Sequence, residues 1–149
     1  MAYDASVLRF TGIDDRNIAT INLYSDYLAK NLEDTESIRD IFISVDREKV
    51  LSDLYFFTDT MMIEVPDFIT FYDGRMHEKK MNFIIHSLKN NLTFLNQKIS
   101  DADASSPRTV QVSFGLKSGA SFSFTERREN SEKLEYISKT YLIHNFSHD

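Results

Sequence analysis

Four histidines are the side chains in this sequence best suited to metal binding or proton transfer: His77, His86, His144 and His148. A zinc site on a helix needs two histidines four residues apart with a glutamate between them, and no pair here meets both conditions. The chain also has no cysteine, which excludes thiol catalysis, zinc-thiolate sites and disulfides. The sequence therefore predicts no metal site and no cofactor.

A nucleophilic serine needs a Gly-x-Ser-x-Gly elbow or a base held beside it, and Ser87, next to His86, has no such elbow. The expectation is therefore a non-enzymatic protein with no catalytic residues. An enzyme would require two titratable side chains to converge in a cleft with perturbed pKa values. The candidates for such a pair are Asp59, Glu64, His77 and His86.

One basic cluster follows a predicted Asp73-Gly74 turn. Its members are Arg75, His77, Lys79 and Lys80. Such a group can bind a phosphorylated lipid headgroup or an acidic peptide, which makes these residues the candidate ligand-binding site. Because Glu78 interrupts the cluster, the same residues also fit a solvent-exposed end of a strand or helix. The solvent-exposed end is the favoured interpretation, and ligand binding is the alternative.

Charge and composition exclude several classes of protein. The chain has 17 Lys and Arg against 23 Asp and Glu, a net charge of -6, which argues against nucleic-acid binding. No run of about 18 apolar residues is present, and the first residues lack the basic and apolar parts of a leader. The absence of cysteine fits a reducing compartment. We expect a cytoplasmic protein with no transmembrane segment, and its 149 residues fit a single domain over 1–149.

The clearest structural pattern is a hairpin over residues 110–124, where apolar and polar residues alternate in two short runs. A two-residue loop would place phenylalanines opposite serines. A three-residue loop, Lys117-Ser118-Gly119, places apolar residues opposite apolar ones and puts Gly119 where left-handed backbone is needed. The predicted pairs are Leu116–Ala120, Phe114–Phe122 and Val112–Phe124.

The remaining patterns predict an α+β fold: an antiparallel sheet of five to seven strands packed against an N-terminal and a C-terminal helix. Residues 1–33 form an N-terminal strand and helix extension, and residues 38–146 form the sheet core with its closing helix. Strands are predicted at Ser6–Thr11, Ile38–Val45, Leu54–Val65 and Phe68–Tyr72, and helices at Ile13–Leu32 and Asn130–Phe146.

Residues 79–99 are ambiguous between a helix and two strands. A 4-3-4-3-4 spacing of apolar residues from Met81 to Ile99 favours a helix. Several asparagines, among them Asn90 and Asn91, disfavour it, and the aromatic residues Phe83 and Phe94 lie off the apolar stripe and suit strands. The helix is preferred here, with two strands as the alternative.

The segment Leu54–Ile63, LYFFTDTMMI, resembles the pleckstrin-homology-like pattern of an aromatic strand, a Thr-Asp corner and a second apolar strand. With two strands in 79–99, the hairpin and the C-terminal helix extend this resemblance over about Ile38 to Phe146. It implies a binding or adaptor module that recognises a protein partner, or an anionic lipid headgroup, through a sheet edge or the basic turn.

With a helix over 79–99, the order of elements instead resembles the small acidic chaperones of type III secretion. That resemblance implies a homodimer that holds an extended segment of a partner protein. The two families therefore differ in the expected oligomeric state, and the conformation of 79–99 separates them.

Overall fold

A computed structural model describes residues 3–8, 15–32, 37–44, 53–66 and 82–146. The chain divides into two compact units, Met1–His86 and Ser87–Asp149. The fold is α+β, as predicted, but the strands lie in two antiparallel sheets of four and three strands. The expectation of one sheet with five to seven strands is therefore wrong, because alternation along the chain predicts strands without specifying which sheet each one joins. The single domain over 1–149 stays a prediction.

The four-stranded sheet, sheet 1, has the order β1-β2-β3-β4. Its strands are β1 (Asp40–Ser44), β2 (Asp53–Phe57), β3 (Met61–Val65) and β4 (Ile84–Ser87). The predicted strand Leu54–Val65 is thus two strands. Thr58 separates them, since its hydroxyl accepts hydrogen bonds from the backbone N–H groups of Thr60 at 3.3 Å and Met61 at 3.0 Å. Predicted strand Phe68–Tyr72 lies outside the described residues.

The N-terminal helix α1 (Asp15–Asn31) confirms the prediction of a helix in that region. The strand predicted at Ser6–Thr11 is wrong where it can be compared, because Ala5–Leu8 form a short 3-10 helix. Asp4 explains the difference: its carboxylate accepts the N–H of Ser6 at 2.9 Å and its carbonyl accepts that of Val7 at 3.0 Å. An Asp side chain bonded two residues ahead favours a turn over a strand.

Both faces of strands β1 to β3 in sheet 1 are buried. One face packs against α1, with Ile41, Phe56 and Ile63 aligned across three strands and Tyr24 of the helix in the same cluster. On the opposite face the side chains of Phe42, Tyr55, Phe57 and Met62 are at most 3% exposed. These three strands are therefore a structural core and offer little free surface on their faces, whereas β4 exposes Ile84 and Ile85.

The three-stranded sheet, sheet 2, is an antiparallel meander of β5 (Leu92–Ser100), β6 (Thr109–Leu116) and β7 (Ser121–Arg127). The predicted hairpin is confirmed. Leu116 N–H donates to Ala120 O at 2.9 Å, Gly119 has φ of 96°, and Phe114 and Val112 lie opposite Phe122 and Phe124. The requirement that apolar residues share one face was sufficient to select the loop.

The helix preferred over 79–99 is wrong for the described part of that segment, and the two-strand alternative is confirmed. Strands β4 and β5 are joined by a turn in which Asn90 has φ of 60° and Asn91 N–H donates to Leu88 O at 3.0 Å. Asparagine tolerates this left-handed conformation better than most residues. The turn at Asn90 therefore forms, and the segment does not become the helix that the apolar spacing predicts.

One face of sheet 2, its inner face, carries Val110, Val112 and Phe114, all fully buried. The helix α2 (Glu129–Ile137) packs on β6 and β7, continues as a π-helical segment (Ser138–Ile143) and ends as α3 (His144–Phe146). Its Leu134 and Ile137 are buried, as expected for a C-terminal helix that covers the hairpin. The opposite side of the sheet, its outer face, carries polar side chains and the exposed ring of Phe94.

Candidate functional site

The four basic residues predicted to bind a ligand all lie outside the described residues. Arg75, His77, Lys79 and Lys80 fall in the interval 67–81. Their role in binding an acidic headgroup or peptide therefore stays a prediction.

Two of the four candidates for a catalytic pair lie close together in the structure. Glu64 on β3 and His86 on β4 lie on neighbouring strands, with Glu64 Oε1 and His86 Nε2 3.1 Å apart and their side chains 17% and 12% exposed. Asp59 lies elsewhere, beside Arg39 at 3.6 Å in a largely exposed ion pair. The contact between Glu64 and His86 ties the edge strand β4 to its neighbour β3.

Among the described residues, Ser87 is not placed to act with this pair as the nucleophile of an acyl-transfer triad. Ser87 follows His86 directly on β4, and successive side chains of a strand point to opposite faces, so the Ser87 hydroxyl is directed away from the imidazole. Among the residues that the structure describes, no group of three or more His, Asp or Glu side chains is placed to hold a metal ion. Within the described part of the chain, the Glu64–His86 contact links the neighbouring strands β3 and β4.

The edge strand β5 exposes apolar side chains. It is nine residues long, and its apolar side chains Phe94 and Ile99 are 47% and 40% exposed. The other edge strand of sheet 2, β7, differs. Its exposed side chains are all polar: Ser121, Ser123, Thr125 and Arg127. Sheet edges in natural proteins are usually short, charged or covered, so a long edge with exposed apolar side chains is a candidate binding surface.

The backbone hydrogen bonds show which groups of β5 face outward. Leu116 on β6 bonds to the β7 side, at Ala120, so alternate residues of β6 bond to β7 and the intervening ones bond to β5. The bond from Lys117 N–H to Asn91 O, at 2.9 Å, agrees with this alternation, because Lys117 follows Leu116 and bonds to the β5 side. Asn96 and its even-numbered neighbours therefore bond to β6. The N–H and C=O groups directed away from β6 are those of Leu95, Gln97 and Ile99.

The same three residues have their side chains on the inner face, because they lie opposite Phe114, Val112 and Val110. Gln97 is exceptional among them. Its side-chain oxygen Oε1 is buried and has no hydrogen-bond partner among the described residues, which costs free energy unless a donor arrives from outside. The outward side of β5 therefore offers peptide groups, two aliphatic side chains and one buried acceptor.

Phe94 lies on the outer face at a β-bulge between Leu92 and Phe94. Its ring covers Gly115 of β6, where a Cβ atom would lie 2.9 Å from the Phe94 Cδ1 atom. Only glycine leaves room for the ring at this position. The bulge and this contact fix the exposed ring at one end of β5.

A polar cluster anchors α2 to the start of β6. Arg108 donates to Ser131 Oγ at 2.8 Å and to Glu135 Oε1, and Lys139 Nζ lies 3.3 Å from Glu135 Oε2. Burial by itself would raise the pKa of Glu135, but the hydrogen bonds and charges of Arg108 and Lys139 outweigh it and hold that pKa below its ordinary 4.5. Ser131 donates to the Arg128 carbonyl from inside the first turn of α2. The cluster thus fixes the helix that covers the inner face.

The chain matches no known protein family, and comparisons with curated proteins and with solved structures found no match. No helix among the residues that the structure describes is long and apolar enough to cross a membrane.

Proposed function

We propose that this protein is a non-enzymatic binding module that takes up an extended segment of a partner protein by strand addition at β5. The observation that carries the proposal is the edge itself: nine residues, with Phe94 and Ile99 exposed and the peptide groups of three alternate residues directed outward. In strand addition the main chain supplies affinity and the alternating side chains supply specificity.

The chemistry of β5 defines the segment it would accept. Residues of the incoming strand that lie opposite Leu95 and Ile99 are on the inner face and should be apolar. Those opposite Asn96 and Lys98 are on the outer face, where polar or acidic side chains are favoured. Each new backbone hydrogen bond contributes about 0.5–1.5 kcal/mol net, so several bonds and two apolar contacts are needed to offset the loss of freedom on association.

The pleckstrin-homology-like resemblance supports an adaptor role for this module. It depended on two strands in 79–99, and strands β4 and β5 occupy that segment. Recognition of an anionic headgroup by Arg75, His77, Lys79 and Lys80 is a second ligand class in the same proposal. The alternative, a homodimeric secretion-type chaperone, was based on a helix over 79–99, so the order of elements no longer favours it.

A displayed library of random peptides as long as β5 tests the edge directly. Peptides are selected on the wild-type protein and their affinities are then measured for Gln97→Pro. Gln97 directs its N–H away from β6, so proline there removes an outward donor without removing a bond to β6. Thr125→Pro is the matched control, because Thr125 lies opposite Gln111 on the other edge of sheet 2 and also directs its N–H outward.

We expect the selected peptides to bind Gln97→Pro about tenfold more weakly and to bind Thr125→Pro as they bind the wild type. Circular dichroism establishes that both variants fold. Peptides that bind Gln97→Pro and the wild type equally would contradict strand addition at β5. A selection that enriches no peptide would contradict the uptake of extended segments altogether.

A further inference from the structure

We propose that, in the absence of a partner segment, β5 pairs with β5 of a second copy of this chain, antiparallel and with the two-fold axis at Gln97. The inference rests on the proposed function, because both use the same edge. It names the first partner of that edge and its register. Sheet 2 of one copy and sheet 2 of the other would then form one continuous sheet of six strands, three from each copy.

Hydrogen-bond geometry restricts how two such edges can pair. Only Leu95, Gln97 and Ile99 direct their peptide groups outward, so an outward-facing residue must lie opposite another outward-facing residue. The two-fold axis must therefore pass through a residue. An axis between two residues would place each outward-facing peptide group opposite a peptide group that is already bonded to β6. The remaining choice is which residue lies on the axis.

Side chains select Gln97. With the axis there, Leu95 lies opposite Ile99 of the second copy, so all four aliphatic side chains of the pair meet aliphatic side chains. An axis at Asn96 would place Leu95 opposite Gln97. An axis at Lys98 would place the two lysines opposite each other, which is unfavourable for like charges. The register test that selected the hairpin loop thus selects this axis as well.

The buried acceptor supplies a second and independent argument. With the axis at Gln97, the two Gln97 side chains lie opposite each other on the inner face. The amide N–H₂ of one can then donate to the Oε1 of the other, which has no donor among the described residues of its own chain. On the outer face, Lys98 lies opposite Asn96, so no charges of the same sign oppose each other.

The absence of cysteine makes single-cysteine cross-linking a clean test. Five variants, each with one cysteine at a position from 95 to 99, are incubated with a mild oxidant and their disulfide-linked dimers are quantified. Residues on the two-fold axis are about 5.5 Å apart at their Cα atoms in a hydrogen-bonded pair, which is within disulfide range. We expect Gln97→Cys to cross-link most and its neighbour Asn96→Cys, which faces Lys98, to cross-link at least several-fold less.

Hydrogen exchange on the cysteine-free protein supplies a second readout. The amides of Asn96, Lys98 and Ser100 should be protected at all concentrations, because they bond to β6. Those of Leu95, Gln97 and Ile99 should become protected only as the concentration rises and light scattering reports a dimer. Gln97→Pro should weaken this dimer about tenfold, and Thr125→Pro should leave it unchanged.

The outcomes separate this inference from the proposed function. Preferred cross-linking at Gln97 with concentration-dependent protection supports self-pairing, whereas strongest cross-linking at another position overturns the stated register. A monomer at every concentration, with no cross-linking, overturns self-pairing. In that case the proposed function still stands if library peptides bind the wild type and lose affinity for Gln97→Pro, and it falls if they do not.

Discussion

Replacement of Glu135 by glutamine tests the cluster that holds α2 against β6. The change keeps the size and one oxygen acceptor of the side chain but removes its charge. Glu135 is 18% exposed and Arg108 is 27% exposed, so their ion pair is partly shielded from water. Lys139, in contrast, is 60% exposed and contributes little. The perturbation is therefore mainly a test of Arg108–Glu135.

The expected loss follows from these exposures. Fully exposed ion pairs contribute about 0.2–1 kcal/mol, and hydrogen bonds to charged groups in shielded positions contribute about 1.5–3 kcal/mol. A pair with intermediate burial falls between them, so Glu135→Gln should lower the free energy of unfolding by about 1–2 kcal/mol at neutral pH. The control Lys139→Gln removes only the exposed partner and should cost at most about 0.5 kcal/mol.

The pH dependence gives the decisive assay. The pKa of Glu135 is lower in the folded chain than its ordinary 4.5, so its contribution is present above that pH and is lost as the pH falls through the lowered value. Urea unfolding of wild type and Glu135→Gln should therefore differ at neutral pH and converge in acid. A difference that persists unchanged in acid would refute the electrostatic explanation, because the wild-type carboxyl is then neutral.

Two substitution experiments and one pH titration test further details of the packing. Gly119→Ala should cost about 1 kcal/mol in urea unfolding because φ is 96° there, and a neutral result would contradict the left-handed turn. Gly115→Ala should destabilise the wild type more than it destabilises Phe94→Ala, since the alanine would collide with the Phe94 ring; equal costs would contradict that contact. Burial raises the pKa of Tyr24 to about 12, so urea unfolding should show a contribution to stability that is present below pH 10.0 and lost between there and about pH 12; ultraviolet titration that shows Tyr24 ionising at its ordinary pH in the folded protein would contradict this burial.

The hairpin shows what the sequence alone could determine. Its two strands are adjacent in the chain, and a shift of one residue would expose every phenylalanine, so only one loop length satisfied the pattern. The prediction was confirmed down to the left-handed Gly119. Local alternation with a buried face is enough when the two partners are neighbours in sequence.

Residues 82–99 show where the same reasoning fails. The apolar spacing from Met81 to Ile99 fits one side of a helix, yet much of that stripe is not buried: Ile85 is 59% exposed and Ile99 is 40% exposed. Periodicity predicts burial only where another element covers the stripe. The turn residue Asn90 carried the better signal, since its φ of 60° requires a break at that point.

The candidate edge could not be predicted from the chain for a related reason. Whether β5 is an edge depends on which strands pair, and pairing between distant segments is not encoded in local alternation. The convergence of Glu64 and His86 illustrates the same limit. Both residues were named as candidates from their chemistry, but only the pairing of β3 with β4 places them 3.1 Å apart.

The two edges of sheet 2 have a consequence for how far assembly can proceed. An isologous pair formed through β5 uses up the same edge on both copies and leaves only β7 at the two ends. At β7 the residues that direct their peptide groups outward carry polar side chains such as Ser123 and Thr125, which give a third copy no apolar contact. Growth into a filament needs a sheet that is adhesive at both edges. In sheet 2 only β5 offers apolar side chains for pairing, so the proposed assembly through this sheet would end at a dimer.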